Sequence, residues 1–474
     1  MTEVDVAIIG GGIGGLMTAH RIKKLDPNKK VLIIEKGKTI ENRKCAAQNG
    51  KPCAHCDVCG ITSGYAGAGA FSDGKFNLGT AYGGTLGDEL GEDIAMKYIM
   101  EVDRILSVYS SNQHDNYPEI YKSNKDLKLK CLQNNLQLLD MDVRHLGTDR
   151  NLRLMQSLIK HLNDMGVIMW DRTEVSKVKK VGSEYVIECN NTGDYVTASN
   201  VVFAVGRGGS KFLTSFCKAN NIPMHSNAVD IGVRVEMKDA IWNEFSSKIY
   251  EPKILCKTRT FEDKTRMFCF NKGGIVSAEN NNGVITANGH SYSDDAKKTD
   301  NCNFAILTSI NFTEPFNQPT VYAESISYLA NIIGAGNVIV QRFGDLVRGR
   351  RTNEHRLSQN TVKPTLKATA GDLSLVLPHR ILTDIIETIY ALDNVAPGTA
   401  NDDTLLYGCE SKYYSVKPQM DSSFSIMPNV YVVGDGSGVC RGLSQSAAMG
   451  LYVAEKICNF KNNSEKPLDK SKKM

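Results

Sequence analysis

The chain has 474 residues, 41% apolar and 23% charged, which suffices for a large core shared by two or three domains. Its net charge of +4 is small for that size and argues against nucleic acid or a membrane surface as partner. It has no run of 18 apolar residues, and its first residues, "MTEVDVAIIGGG", carry no basic region or cleavage site, so a cytoplasmic protein is expected.

Residues 4–9, "VDVAII", are apolar and β-branched and predict a buried parallel strand. "GGGIGG" follows, with Ile13, Gly14 and the start of a helix, and places G-x-G-x-x-G on Gly10, Gly12 and Gly15. The three glycines suit a tight turn, a close approach to a pyrophosphate and close helix–strand packing, while the helix N-terminus offers free N–H groups to the phosphates. A second strand, "KVLIIEK", ends at Glu35 and Lys36, where a carboxylate can accept from ribose hydroxyls. Glycines alone would be weak evidence. Strand, glycines, helix, strand and acid in this order predict a bound dinucleotide.

Next come four cysteines, Cys45, Cys53, Cys56 and Cys59, among thirteen in the chain. In a cytoplasmic protein such thiols are expected to be free or metal-bound. Their spacing, C-x7-C-x2-C-x2-C, suits zinc or an iron–sulfur cluster. It also allows a redox dithiol at Cys56 and Cys59, or unliganded thiols in a loop. "GYAGAGAFSDG" follows at 64–74 and makes Gly67, Gly69, Ser72 and Asp73 candidates for a second cofactor loop, the alternative being a surface turn. Residues 88–165 read as mainly helical, and a strand pair precedes a buried strand in "NVVFAVGRGG" (200–209), which runs into Ala204 and Gly206.

From 226 to 404 short strands and turns dominate, with a helix in "LPHRILTDIIETIYALDNVAP". "NIIGAGNVIV" (331–340) lacks the third glycine of a dinucleotide site and is expected to be a strand or turn. "RFGDLVRGRRTNEHR" supplies Arg351 with Arg348 and Arg350 as a clamp for a substrate carboxylate or phosphate, or as a solvated turn. His290 is a candidate proton donor and Cys269, in "FCFNKGG", a candidate cofactor-facing residue; either is as readily structural. Residues 429–454 close the chain with a strand, Gly434-Asp435-Gly436, a turn through Gly442, and a helix of small residues that includes Gln445.

This last segment resembles the C-terminal G-D motif of flavoproteins, in which the aspartate holds the ribityl or pyrophosphate part of FAD. "AVG" at 204–206 is similar to their A-T-G-type motif. With "GYAGAGAFSDGKFNL", "FCFNKGGIVSAENNNGVITANGHSYSDD" and "LLYGCESKYYS", nearly the whole chain resembles the bacterial and archaeal FAD-dependent dehydrogenases, also described as NAD(P)/FAD-dependent oxidoreductases. The resemblance implies FAD and an α/β fold of the glutathione-reductase or hydroxybenzoate-hydroxylase type, discontinuous, with an inserted α+β substrate domain. It implies no substrate. The expected division is an FAD-binding part at 1–225 with its helical insertion at 88–165, a substrate domain at 226–404, a return segment at 405–465 and a basic tail at 466–474.

The expected activity is hydride or electron transfer through the flavin to or from a small organic molecule. NAD(P)H or a redox protein is the other candidate partner. The alternatives are a flavin monooxygenase and a flavoprotein serving electron transfer or RNA modification.

Overall fold

The computed structural model describes residues 2–45, 56–111, 117–122, 124–139, 142–190, 193–281, 283–291, 298–312, 316, 318–413 and 415–459. Its first sheet is built on the expected unit: β1 (Thr2–Ile9), helix α1 (Ile13–Leu25) and β2 (Val31–Ile34). β1 lies between β2 and the strand Tyr195–Phe203, and both pairings are parallel. Val430–Val432 joins beyond Tyr195–Phe203, and Ile168–Trp170 beyond β2, again in parallel. All four residues of β2 are fully buried, as strands covered on both faces must be. Five parallel strands therefore end on one edge, the position at which ligands of open α/β sheets bind.

The second sheet has eight strands in the order 369–370, 339–342, 405–413, 229–238, 301–310, 264–271, 254–257, 136–138. It is antiparallel apart from the pairing of 339–342 with 369–370. Its apolar core gathers around Trp242, Phe245, Phe270 and Phe304 and is covered by the helices Pro319–Ile333 and His379–Asp393. "NIIGAGNVIV" is the end of the first of these helices, a turn, and the strand Ile339–Arg342.

One expected boundary moves. The strand Leu405–Tyr413, assigned above to the return segment, pairs along its length with Val229–Lys238 and belongs to the second sheet. Its near-continuous burial (Leu405, Leu406 and Tyr407 are fully buried) reads the same whichever sheet takes it, so the sequence pattern alone does not assign it. The 88–165 insertion is mainly helical, as expected, with short strands between its helices. Leu136–Leu138 pairs with Ile254–Cys256, and Asp142–His145 pairs with Lys75–Leu78. These short strands tie the two halves together. The basic tail lies outside the described residues, and no described helix is long and apolar enough to cross a membrane.

Candidate flavin site and interdomain cleft

The turn after β1 is fixed by sterics. Gly10 has φ +107°, and a Cβ there would stand 2.3 Å from the Ala204 carbonyl oxygen. A Cβ on Gly15 would meet the Gly10 oxygen at 2.3 Å, so the turn, α1 and the strand ending at Ala204 close on one another. Gly12 differs. Its φ is −71° and a Cβ there would meet nothing within 4 Å. The space in front of Gly12 is open while everything behind it is packed.

Two further turns reach the same edge. Gly206 (φ +58°) follows Ala204, and Gly434 (φ +72°) follows the last parallel strand. They meet where a Cβ on Gly436 would touch Gly206 at 3.1 Å. Asp435 accepts from Arg207 Nη2 through Oδ2 at 3.2 Å, while Oδ1 is shielded from solvent and has no hydrogen-bond partner. Ser444 Oγ, in the first turn of the C-terminal helix Leu443–Ile457, is likewise buried and unpartnered. Gly442 caps that helix without a side-chain acceptor, leaving its first N–H groups for an anion. Unspent buried polar atoms around an open backbone turn are what a bound dinucleotide would satisfy, so the residues present fit FAD.

Glu35 is buried, and its carboxylate is a three-way tie. Oε2 accepts from Gly11 N at 2.8 Å, and Oε1 from Gly37 N at 2.8 Å and Gly64 N at 2.9 Å. Four lone-pair directions minus three bonds leave one, on Oε2, for a ribose hydroxyl. Lys36 is half-buried in the bend that follows. On this side lies a cavity of about 470 Å³, lined by Thr39, Ile40, Tyr65, Met169 and Asp171 among others. The Tyr65 ring closes against Gly11, and its hydroxyl donates to the Ile33 and Trp170 carbonyls.

The second loop packs directly on the first. Ala66 N donates to Gly11 O at 2.8 Å, and a Cβ on Gly67 would reach the Gly12 Cα at 3.2 Å. Gly69 abuts Leu443 of the C-terminal helix. The organiser is Arg43, which sequence reasoning passed over. Its guanidinium donates to the carbonyls of Gly60, Ile61, Tyr65 and Gly67 and lies 4.7 Å over the Phe71 ring. Burial pulls its pKa down to about 10, although Glu35 and Cys59 favour the charge. Ser72 spends its hydroxyl on the local turn, donating to Gly69 O. Gln445 is fully buried but spends its amide on the segment 80–86: Oε1 accepts from Leu86 N, and Nε2 donates to Tyr82 O and Thr80 O. It positions a loop, which differs from the cofactor contact expected of it.

The cysteine loop is only partly described, because Cys53 lies outside the described residues. Cys56 and Cys59 are exposed and Cys45 half-buried. Among the described residues no group of three or more His, Cys, Asp or Glu side chains is placed to hold a metal ion. Burial pushes the Cys59 thiol up, but hydrogen bonds from Thr62 and Ile61 and the Arg43 charge bring it below the ordinary thiol value.

Asp73 turns away from the glycine turns into a cleft between the two sheets. It pairs with Lys75 at 2.9 Å, and Lys75 reaches Glu251 Oε2 at 3.6 Å. Glu251 Oε1 is 3.8 Å from Lys253, whose ammonium lies 3.4 Å over the Tyr82 ring. His145 stacks on Tyr250 at 4.3 Å, and its Nε2 is buried and unpartnered. Burial lowers His145 to about 4, so it is neutral. Burial pushes Asp73 up, but Lys75, His145 and His290 outweigh that and hold it below the usual carboxylate range. Lys75, paired on two sides by Asp73 and Glu251, is held well above the usual lysine range despite its burial.

Cys269 and His290 belong to this cleft. Cys269 sits at a bulge with φ +47°, its carbonyl pinned by Arg234 Nη2 at 2.9 Å and Asn271 Nδ2 at 3.0 Å. His290 stands exposed within electrostatic reach of Asp73, Arg234, Glu279 and Lys75. Arg351 does not belong here. It is exposed, and its loop is held at the end of the second sheet where Arg342 pairs with Leu405. That is the opposite end of the strand Leu405–Tyr413 from the flavin side, about 25 Å along. The arginines there are structural: Arg350 and Arg356 pair with the fully buried Asp345, and Arg348 with Asp402. A sequence shows that arginines are dense, not that Asp345 within the same stretch and Asp402, 54 residues beyond Arg348, neutralise them.

A family model described as an FAD-dependent protein, C-terminal domain-like, matches residues 228–413, and one described as an NAD(P)-binding Rossmann-like domain matches residues 8–40. With the parallel sheet and its three glycine turns, these matches liken the chain to FAD-dependent proteins built on a Rossmann-like dinucleotide-binding domain. Among its relatives is an uncharacterized protein of Clostridium beijerinckii, 22% identical over 473 residues, which are 95% of this chain and 80% of the relative. A second, from Acanthamoeba polyphaga mimivirus, is 37% identical over 59 residues, 12% of either chain. Among solved structures, glycine oxidase from Geobacillus kaustophilus aligns with a TM-score of 0.42 at 11% identity, covering 98% of this chain and 96% of that one. L-proline dehydrogenase from P. horikoshii aligns at 0.41 and 11%, covering 98% and 95%. Nothing about substrate follows from likenesses of this size.

Proposed function

We propose that this chain oxidises or reduces a small organic molecule in the cleft between the loop Ser72–Lys75 and the second sheet. One observation supports this above the others. The loop that packs on Gly12 continues without a break into Asp73 and Lys75, which face Tyr250, Glu251, Lys253, Cys269 and His290 from the other domain. A substrate held there lies beside the N-terminus of the C-terminal helix, where the flavin ring is expected.

Gly10, Gly12, Ile13, Gly14 and Gly15, with Glu35, Ala204, Gly206, Gly434, Asp435 and Gly442, would hold FAD. When bound, FAD supplies the hydride or electron transfer. The protein orients the substrate and moves protons. Tyr250 and the neutral His145 form a flat wall for an apolar part of the substrate. His290, at the solvent-exposed mouth, holds or releases a proton, and Cys269 lines the floor. NAD(P)H or a redox protein completes the electron balance.

The test is the visible spectrum of anaerobically purified protein, followed by stopped-flow reduction with a panel of small amines, alcohols and hydroxy acids. Flavin bands from one FAD per chain are expected. With the substrate so found, His290→Gln and Cys269→Ser should each slow flavin reduction at least about tenfold with flavin content unchanged. Flavin-free protein, or wild-type rates in both variants, would refute the reading.

A further inference from the structure

The cleft contains one cation whose bonding is incomplete. The Lys253 side chain is 10% exposed, and its ammonium has three N–H donors. Among the described residues none of these finds an acceptor within hydrogen-bond distance. Its carboxylate neighbour, Glu251, is 3.8 Å away through Oε1 and is shared with Lys75 at 3.6 Å through Oε2. The remaining contact is the face of Tyr82 at 3.4 Å, which attracts a cation but accepts no strong hydrogen bond. Lys75, by contrast, is paired on two sides. A largely buried ammonium that lacks a protein acceptor is open to an anionic partner.

The surroundings say what that is. Tyr82 and Tyr250 bring aromatic surface, with His145 stacked behind Tyr250, so the space is walled for carbon as well as for charge. The residue after Tyr82, Gly83, packs on Gly442 at the cap of the C-terminal helix, whose free N–H groups add partial positive charge. We infer that the cleft binds an organic carboxylate, its anionic oxygens on the Lys253 ammonium and its carbon skeleton against Tyr82 and Tyr250. An N–H···carboxylate bond is charge-assisted and about twice as strong as the neutral kind, so a carboxylate is preferred to its amide. Burial holds Lys253 below the usual lysine range, with Lys75 adding to it, although Glu251, Cys269 and Asp73 favour the charge.

The inference rests on the proposed cleft and names the class of its substrate. The experiment pairs acids with their amides: acetate, glycolate, succinate and benzoate against acetamide, glycolamide, succinamide and benzamide. Binding to the FAD-loaded protein is read by calorimetry and by perturbation of the flavin spectrum. At least one acid should bind about tenfold or more tightly than its amide. Lys253→Met should abolish that preference at unchanged flavin content, while Lys253→Arg should keep it. Absence of any acid-over-amide preference in the wild type, or its survival in Lys253→Met, overturns the inference. The wild-type comparison stands even if a variant fails to fold. Protein that carries no flavin but still prefers the acid in calorimetry would sink the flavin reading and leave the anion site in place.

Discussion

The flavin turns and the interdomain cleft are neighbours, yet they are made in opposite ways. The turns are backbone: Gly10, Gly206 and Gly434 adopt φ values that other residues resist, and the functional atoms are N–H groups and open space. The cleft is side chain: Asp73 and Lys75 from one loop, His145 from the insertion, Tyr250 to Lys253 before one strand, and Cys269 and His290 from two others. A backbone site demands a particular residue at a particular spacing and so marks the sequence. A cleft assembled from five segments demands only that suitable side chains arrive together.

The sharpest way to break that comparison is a pair of glycine substitutions two residues apart. Gly10→Ala places a Cβ 2.3 Å from Ala204 O at a φ of +107°. It should cost about 3 kcal/mol or more and remove flavin and stability together. Gly12→Ala has an ordinary φ and open space around its Cβ. It should leave the melting temperature of the flavin-free protein within the effect of about 0.5 kcal/mol and still weaken FAD binding at least about a hundredfold. Flavin titration and thermal unfolding separate the two. If Gly12→Ala bound FAD as the wild type does, no pyrophosphate would lie in front of that turn.

Arg43 tests the link between the regions. Its guanidinium takes four carbonyls of the segment 60–67, and Gly67 lies on Gly12. Arg43→Met strands those carbonyls without a donor and should cost about 3–5 kcal/mol. FAD affinity should fall about 10- to 100-fold, and amide exchange should accelerate through residues 60–72. Arg43→Lys should rescue little, since a point charge cannot serve four carbonyls in a planar fork. Wild-type exchange in Arg43→Met would show that the second loop holds itself.

Legibility followed the same division. β1, the glycine turn, α1, β2 and Glu35 were readable because a period change and a fixed glycine spacing are local properties. Gly434-Asp435 was readable for the same reason. Arg43 left no trace, because its partners are main-chain carbonyls, which every residue carries. Lys253 and His145 were invisible because their chemistry comes from burial and from ring partners more than 100 residues away, Tyr82 for Lys253 and Tyr250 for His145. Gln445 and Asp73 sit close to the cofactor turns in sequence, yet their side chains point elsewhere. The strand Leu405–Tyr413 falls in the expected return segment yet pairs in the second sheet, because proximity in sequence says nothing about which neighbour completes its ladder.

The smallest expected effect comes from the residue that looked most catalytic on charge alone. Arg351 is exposed, and among the described residues its backbone carbonyl accepts from Arg356. Its loop stands at the far end of the second sheet. Arg351→Ala should change stability by no more than about 0.5 kcal/mol and leave the rate of flavin reduction within twofold. Asp345→Asn, six residues earlier, should do the reverse of nothing. That carboxylate is fully buried and takes Arg350 Nε at 2.7 Å, Thr352 Oγ1 at 2.8 Å and Arg356 Nε at 3.1 Å. Removing its charge leaves the guanidinium groups around it uncompensated and should cost about 3–5 kcal/mol, again without a specific effect on the flavin. A large catalytic loss in Arg351→Ala at wild-type stability would move the substrate away from the Lys253 cleft and return the charged loop to the active site.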